Sequence, residues 1–330
     1  MTSSRLIVER ADAPILEPEE RFAGLRLAVL IPCYNEAAAI ADTVAGFRKA
    51  LPTARILVFD NNSTDDTIAI ARQAGAETRH VLRQGKGNVV RRMFADIEAD
   101  LYLLVDGDAT YDAASAPRLI DKLLTDGLDM VVGARRDQQT DAYRPGHRFG
   151  NRILTEFVAR VFGRAFNDIL SGYRVFSRRF VKSFPAIATG FEIETELTIH
   201  ALELRMPIAE VETPYYARPA GSVSKLNTWR DGARILRTIL RLYQLQRPLS
   251  FFTWIAGALA AVAIILAIPV VITFIDTGLV PRLPTAVLST GLMLLASLSL
   301  TCGLILDNVT RGRQEMKRLF YLGIEGIRRD

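Results

Sequence analysis

Asp106 and Asp108 stand one residue apart, directly after an apolar run at 103–105. An apolar run that ends in turn residues is typical of a buried strand in a parallel sheet. Residues i and i+2 of an extended segment point the same way, so both carboxylates can face one ion. Carboxylates and water suit Mg²⁺ or Mn²⁺, which commonly bridge to a substrate phosphate. The pair therefore predicts a metal site, although a solvated turn would carry the same two residues.

Three further polar residues come just past the ends of predicted strands. They are Glu36, Asp60 and Lys86, the last of which stands between two glycines. Ligands of open α/β sheets bind beyond the carboxyl ends of the strands, so these side chains are expected near the Asp pair. Asp60 or Glu36 would hold ribose hydroxyls or a base edge, and Lys86 would hold a phosphate. Taken singly, Asp60 could instead be a helix cap and Lys86 a solvated charge.

Strands and helices alternate through the first half of the chain. Apolar runs predict strands at 27–31, 55–60, 78–82, 103–105 and 129–133, with helices between them. This alternation predicts a doubly wound, Rossmann-like α/β domain with a largely parallel sheet. The segment 134–152 is rich in Arg, Asp and Gly and is expected to form a loop over the site, and 192–204 is expected to be helical.

Two long apolar stretches follow, at 251–275 and 284–306. Each is long enough to cross a hydrocarbon core of about 30 Å as a helix, although two buried core helices would look similar. Basic residues flank the pair on both outer sides, which predicts that the large N-terminal part and the tail are cytoplasmic. The basic, amphipathic segment 229–245 suits the membrane interface, with an ordinary packing helix as the alternative.

The formal charge of +5 is concentrated near these stretches, so acidic lipid is a simpler partner than nucleic acid. The two cysteines imply no disulfide framework. We predict five segments: a polar lead-in at 1–22, a catalytic domain at 23–226, a juxtamembrane helix at 227–249, a transmembrane hairpin at 250–307 and a basic cytoplasmic tail at 308–330. The membrane would be the bacterial inner membrane.

Four motifs resemble those of the inverting family-2 glycosyltransferases in order and spacing. They are Pro32-Cys-Tyr-Asn-Glu36, Asp60-Asn-Asn-Ser63, Gly85-Lys-Gly87 and Asp106-Gly-Asp108. The later segments 133–135, 167–176, 190–194 and 218–226 resemble the polyprenyl-phosphate branch, which includes dolichyl-phosphate mannose synthases and bacterial undecaprenyl-phosphate sugar transferases. The sequence departs from the family at Asn61, where many relatives have Asp, and at Thr110, where the mannose synthases often have Gln beside the metal.

The resemblance implies a GT-A fold and a role for each matching residue. Nucleotide contacts would come from Pro32, Tyr34, Asn35, Glu36, Asp60, Asn62, Lys86 and Asp106, and the metal from Asp106 and Asp108. The acceptor phosphate would meet Arg135, Ser171, Arg174, Arg218, Ser222, Ser224 and Lys225, and the sugar would meet Glu192 or Glu194. Arg148, in the basic segment 134–152, is a further candidate for the acceptor phosphate. Arg135 and Arg148 are the candidate catalytic clamp over both phosphates.

The expected reaction is metal-dependent, inverting transfer of a sugar from a UDP- or GDP-linked donor to undecaprenyl or dolichyl phosphate. Four alternatives stay open: another lipid acceptor, a polysaccharide acceptor, a phosphohydrolase that uses the Asp-x-Asp motif, and a membrane scaffold without activity. Self-association is also left open.

Overall fold

The computed structural model describes residues 22–137, 168–190, 192–219, 241 and 243–327. Its strands are β1 (Leu27–Cys33), β2 (Arg55–Asp60), β3 (Glu77–His80), β4 (Leu101–Leu104), β5 (Met130–Asp137), β6 (Arg174–Ser177) and β7 (Ile208–Tyr215). Its α-helices are α1 (Ile40–Ala50), α2 (Thr67–Gln73), α3 (Lys86–Asp96), α4 (Ala116–Asp126), α5 (Arg178–Ser183), α6 (Ile193–Leu204), α7 (Pro248–Thr277) and α8 (Leu283–Leu322).

All seven strands belong to one mixed sheet in the order β3-β2-β1-β4-β6-β5-β7. Strand β1 pairs in parallel with both β2 and β4, and β5 pairs in parallel with β7. The chain runs outward from β1 to β3 and then returns to the other side of β1 as β4. A sheet whose order reverses in this way opens a crevice beyond the carboxyl ends of the two strands, here β1 and β4.

Both faces of the sheet are covered, which explains why β1 and β4 in its middle are almost entirely apolar. Leu30 of β1 lies in a buried cluster with Met93 of α3 and Leu197 of α6. Its neighbour Val29 points to the opposite face, into a cluster with Val44 of α1 and Leu119 of α4. The domain is therefore a three-layer sandwich of helices, sheet and helices.

The prediction of an α/β domain with a largely parallel sheet is confirmed, and one predicted boundary is wrong. Strand β6 is antiparallel to β4 and β5, so the sheet is mixed. Ala134–Asp137 form the end of β5 instead of opening a loop, because they pair with β7 up to Tyr215. The rest of the predicted loop, to residue 152, lies outside the described residues, as do most of the lead-in and of the juxtamembrane segment.

The predicted apolar stretches form α7 and α8, which are long and apolar enough to cross a membrane. Their most apolar windows are only 6% and 17% buried, which distinguishes them from core helices. The two helices pack against each other, and Ser299 of α8 donates a hydrogen bond to the Phe252 carbonyl of α7 at 3.2 Å. Helix α8 continues well beyond the predicted end at residue 306.

Candidate active site

A cavity of about 290 Å³ opens beyond the carboxyl ends of β1 and β4. Several residues singled out from the sequence line it: Pro32, Tyr34, Glu36, Lys86, Asp106, Asp108 and Arg218. Its lining also includes Cys33, Asn61, Gln84 and Val89, which the sequence alone does not mark as ligand-binding residues. The topology therefore brings the Asp pair, the glycine-flanked Lys86 and Arg218, a predicted ligand of the acceptor phosphate, into a single cavity.

Lys86 is held between two carboxylates. Its Nζ lies 2.5 Å from Asp106 Oδ1 and 2.5 Å from Glu194 Oε1, and its side chain is only 10% exposed. Burial alone would lower the pKa of Lys86, but the charges of Asp106 and Glu194 outweigh it and raise that pKa above its ordinary value. Lys86 is also the first residue of α3, where backbone N–H groups favour an anion. Lys86 therefore keeps its proton, and the two carboxylates share its positive charge.

The two glycines beside Lys86 are required by close packing. A Cβ on Gly85 would overlap the carbonyl oxygen of Thr189, and one on Gly87 would overlap that of Ala188. Gly85 also has a φ of +121°, which side chains rarely adopt. The glycines thus let the start of α3 lie against the segment that leads into α6, the helix that carries Glu194.

Asp108 forms an ion pair with an arginine that lies far along the sequence, beyond β7. Its Oδ2 lies 2.7 Å from Nη2 of Arg218, and its Oδ1 accepts from the Thr110 hydroxyl at 2.6 Å. Burial, and then the neighbouring charge of Asp106, raise the pKa of Asp108, although Arg218 and Thr110 oppose the shift. The two carboxylates therefore strongly favour a cation between or beside them.

Asp106 and Asp108 fit a divalent ion that is bound jointly by protein carboxylates and by phosphate oxygens of a substrate. Asp106 and Asp108 are hard oxygen donors at one cavity wall. Within the described ranges no group of three His, Cys, Asp or Glu residues could hold a metal alone, and the Thr110 side chain is buried against Asp108. Mg²⁺ and Mn²⁺ are often held by one or two carboxylates plus water and substrate phosphate oxygens.

Asn61, in the turn that follows β2, is hydrogen-bonded to the segment 81–85 that leads into α3. Its buried amide donates to the carbonyls of Val81 at 3.0 Å and Arg83 at 2.8 Å, and its Oδ1 accepts from Gly85 N–H at 2.6 Å. An aspartate could accept here but could not donate. The departure from the family pattern at this position therefore has a structural role, and only the distant partners in the fold reveal it.

Three residues that are predicted to contact the nucleotide lie in the loops beside the cavity. They are not among the cavity-lining residues. Asp60 is fully buried and accepts from Ser63 N–H. Asn35 has a φ of +54° and accepts from Thr64 N–H at 2.7 Å. Asn62 donates to the Leu82 carbonyl at 2.9 Å. Their described contacts support the walls of the cavity.

Two predicted acceptor residues, Arg174 and Ser171, lie in the core of the domain. Arg174 is fully buried, and its guanidinium donates to the carbonyls of Ser171 and Ile169 and to the Thr198 hydroxyl. Burial lowers the pKa of Arg174 to about 10. The Ser171 hydroxyl donates to the Gly133 carbonyl at 2.6 Å. Both side chains use their hydrogen-bonding groups inside the domain and are not among the cavity-lining residues.

Arg135 lies at the end of β5 in a bidentate pair with Asp168, whose oxygens accept from Nε at 2.7 Å and Nη2 at 2.8 Å. Its guanidinium also lies 5.5 Å from the centre of the Tyr215 ring, and Arg135 is not among the cavity-lining residues. Glu194 is buried against Lys86, whereas Glu192 is half-buried at the start of α6. The remaining acceptor candidates, Arg148, Ser222, Ser224 and Lys225, lie outside the described residues.

Comparison with known proteins decides the family. The model of "Glycosyl transferase family 2" matches residues 28–184. Glycosyltransferase AglJ of Haloferax volcanii is 35% identical over 294 residues, which cover 88% of this chain and 96% of that protein. The chain belongs to glycosyl transferase family 2. The chain is also 29% identical to a dolichyl-phosphate hexose transferase of Haloferax volcanii, over 66% of this chain and 93% of that protein.

A solved structure supports the same assignment. Glucosyl-3-phosphoglycerate synthase from Mycobacterium tuberculosis, in complex with Mn²⁺, UDP-glucose and glycerol 3-phosphate, matches with a TM-score of 0.58 at 25% identity, covering 71% of this chain and 85% of that one. The resemblance to family-2 glycosyltransferases and the predicted GT-A-like fold are thus confirmed. Family membership also decides against the phosphohydrolase and the inactive scaffold.

Proposed function

We propose that this enzyme transfers a sugar from a nucleoside-diphosphate sugar to a polyprenyl phosphate in the membrane, with inversion at the sugar. One observation carries the proposal: a cavity with paired carboxylates, a buried lysine and a half-buried arginine belongs to a chain with two long, exposed apolar helices. The name of one relative, a dolichyl-phosphate hexose transferase, supports the acceptor class. The Mn²⁺ and UDP-glucose in the solved relative support a metal and a nucleotide donor.

The donor diphosphate would lie between β1 and β4. Asp106 and Asp108 would hold Mg²⁺ or Mn²⁺, which when bound neutralises charge on the departing nucleoside diphosphate. Lys86 and the N-terminus of α3 supply further positive charge at the same wall. Tyr34 and Glu36 line the cavity on the β1 side and would contact the nucleoside.

The acceptor requires cations more than a base. A sugar hydroxyl has a high pKa and normally needs a general base, whereas a phosphate monoester has a second pKa near 6 and is already nucleophilic at neutral pH. Arg218 lies in the cavity on Asp108 and is the described cation best placed to meet that phosphate. Arg135, Arg148, Ser222, Ser224 and Lys225 remain candidates. Single displacement from an α-linked donor would give a β-linked lipid-phosphate sugar.

The two helices would place the catalytic domain and the end of α8 on the same, cytoplasmic side. Tyr321 near the end of α8 contacts Asp129 of the catalytic domain, which supports this arrangement. Basic residues on both outer flanks of the helix pair favour the cytoplasmic side for both.

The test is a transfer assay with radiolabelled UDP- and GDP-sugars in proteoliposomes. We expect label in the lipid extract with polyprenyl phosphate and Mg²⁺ or Mn²⁺, and none with polyprenol or with EDTA. Asp108→Asn should lose most turnover, whereas Asp126→Asn on the exposed end of α4 should not. Equal transfer to polyprenol, or label only in a polysaccharide fraction, would contradict the acceptor assignment.

A further inference from the structure

Helix α8 does not end where its apolar stretch ends. Residues 307–322 are mostly polar, yet they continue the same helix without interruption. At about 1.5 Å per residue, this part extends roughly 24 Å beyond the apolar stretch. We call residues 307–324 the α8 extension. It packs against α5 and α6 of the catalytic domain.

One contact is an ion pair with a buried carboxylate. Lys317 Nζ lies 2.8 Å from Glu203 Oε2, and the Glu203 side chain is only 4% exposed. Glu203 belongs to α6 of the catalytic domain, whereas Lys317 belongs to α8. The buried charge of Glu203 is therefore paired with a residue of the helix that carries the second apolar stretch. Removing the partner of a buried carboxylate is strongly destabilising. The ion pair therefore favours the arrangement in which the α8 extension lies against α6.

A second contact is made at the ends of two inner strands of the sheet, where Asp129 precedes β5 and Ser177 ends β6. The Tyr321 hydroxyl donates to Asp129 Oδ2 at 2.6 Å, and the other oxygen of this buried carboxylate accepts from Ser177 at 2.6 Å. Arg179 lies over the Tyr321 ring at 5.0 Å and donates to the Ile324 carbonyl at 3.0 Å. The α8 extension is thus fixed at two points, on α6 and beside β5 and β6.

The same helix α6 leads from this contact to the active site. Glu203 lies near its C-terminal end and Glu194 near its start, where Glu194 holds Lys86 in the cavity. The two residues are about 13 Å apart along the helix axis, at 1.5 Å per residue. Helix α6 thus connects the α8 extension to Lys86, and the contact at Glu203 fixes the whole domain, cavity included, relative to the membrane helices.

We propose that the α8 extension sets the height and orientation of the cavity above the bilayer, and that Lys317 and Tyr321 are positioning residues for a membrane-embedded acceptor. The inference rests on the proposed function. The phosphate of a polyprenyl lipid stays at the depth of the headgroups, so the cavity must be held at one distance from them. A short, water-soluble acceptor has no such requirement.

The experiment compares two acceptors in the same proteoliposomes: a long-chain polyprenyl phosphate and a short, water-soluble isoprenoid phosphate. Lys317→Glu places two negative charges together and should lower kcat/KM for the long-chain acceptor at least tenfold, with the short-chain value within twofold of wild type. The double variant Lys317→Glu/Glu203→Lys should restore the long-chain value. Arg318→Glu changes the same charge on an exposed neighbour and serves as the control.

A merely structural role would lower transfer to both acceptors equally, and that result would overturn the inference, as would unchanged values in every variant. If Lys317→Glu does not fold, Tyr321→Phe removes only the hydroxyl that binds Asp129 and is judged by the same ratio of the two acceptors. The affinity for the nucleoside diphosphate, measured by calorimetry, should stay unchanged throughout. A wild-type enzyme that transfers to neither acceptor would instead overturn the proposed function.

Discussion

Replacing Lys86 by Met should separate the structural and functional roles of the cavity lysine. Met has a similar length without the charge, so Asp106 and Glu194 would lose the ammonium that they share. Their nearest oxygens lie at most about 5 Å apart, and two unit charges at that distance repel by roughly 3 kcal/mol at an effective dielectric constant near 20. Breaking a buried pair by removing one partner costs about 3 to 5 kcal/mol in other proteins. We therefore expect the free energy of unfolding to fall by about 3 kcal/mol.

The assay is denaturant unfolding in detergent, followed by circular dichroism, together with calorimetric titration of the nucleoside diphosphate. The matched control is Lys122→Met, because Lys122 pairs with Asp126 at 2.7 Å on the surface, where both side chains are about 40% exposed. Exposed pairs contribute about 0 to 1 kcal/mol, so this variant should unfold almost like wild type.

A double variant tests the reasoning most sharply. Lys86→Met/Glu194→Gln removes one of the two uncompensated charges and should recover most of the lost stability. It should not recover nucleotide affinity, because the positive charge beside Asp106 is still missing. The reasoning is refuted if Lys86→Met is as stable as Lys122→Met, or if the double variant binds the nucleotide as tightly as wild type.

Two further outcomes follow from buried polar groups. Asn61→Asp should lower the free energy of unfolding by about 1 to 3 kcal/mol, because the carboxylate cannot donate to the two carbonyls that the amide now serves; an unfolding midpoint equal to that of wild type would contradict this role. Burial, and then the charge of Lys317, lower the pKa of His200 to about 3. Since the unfolded chain takes up this proton near pH 6.5 and the folded chain does not, stability should fall as the pH drops below about 6.5, by about 2 kcal/mol between pH 7 and pH 5. His200→Leu should remove that part of the pH dependence, and unchanged slopes in the two proteins would refute the assignment.

Sequence alone was sufficient wherever a feature depends on neighbouring residues. The apolar runs that became β1, β2 and β4 were recognisable because strands covered on both faces are apolar throughout. The Asp106 and Asp108 pair was recognisable because its strand ends immediately before it. The two apolar helices were recognisable from length and composition. Strands β6 and β7 were not, because four buried residues, or eight that are mostly half-exposed, carry no distinctive local pattern.

Only the tertiary structure decided what the charged side chains do. Arg174 and Arg218 are equally plausible phosphate ligands in the sequence, yet the fold buries the first against backbone carbonyls and brings the second onto Asp108. Glu192 and Glu194 are equivalent sugar candidates in the sequence, and the packing of α6 against the segment 85–87 places Glu194 beside Lys86. The physical reason is that the role of an ionisable group depends on which distant segments use its hydrogen-bonding atoms. Those segments meet only when the order of the strands and the packing of the helices are set.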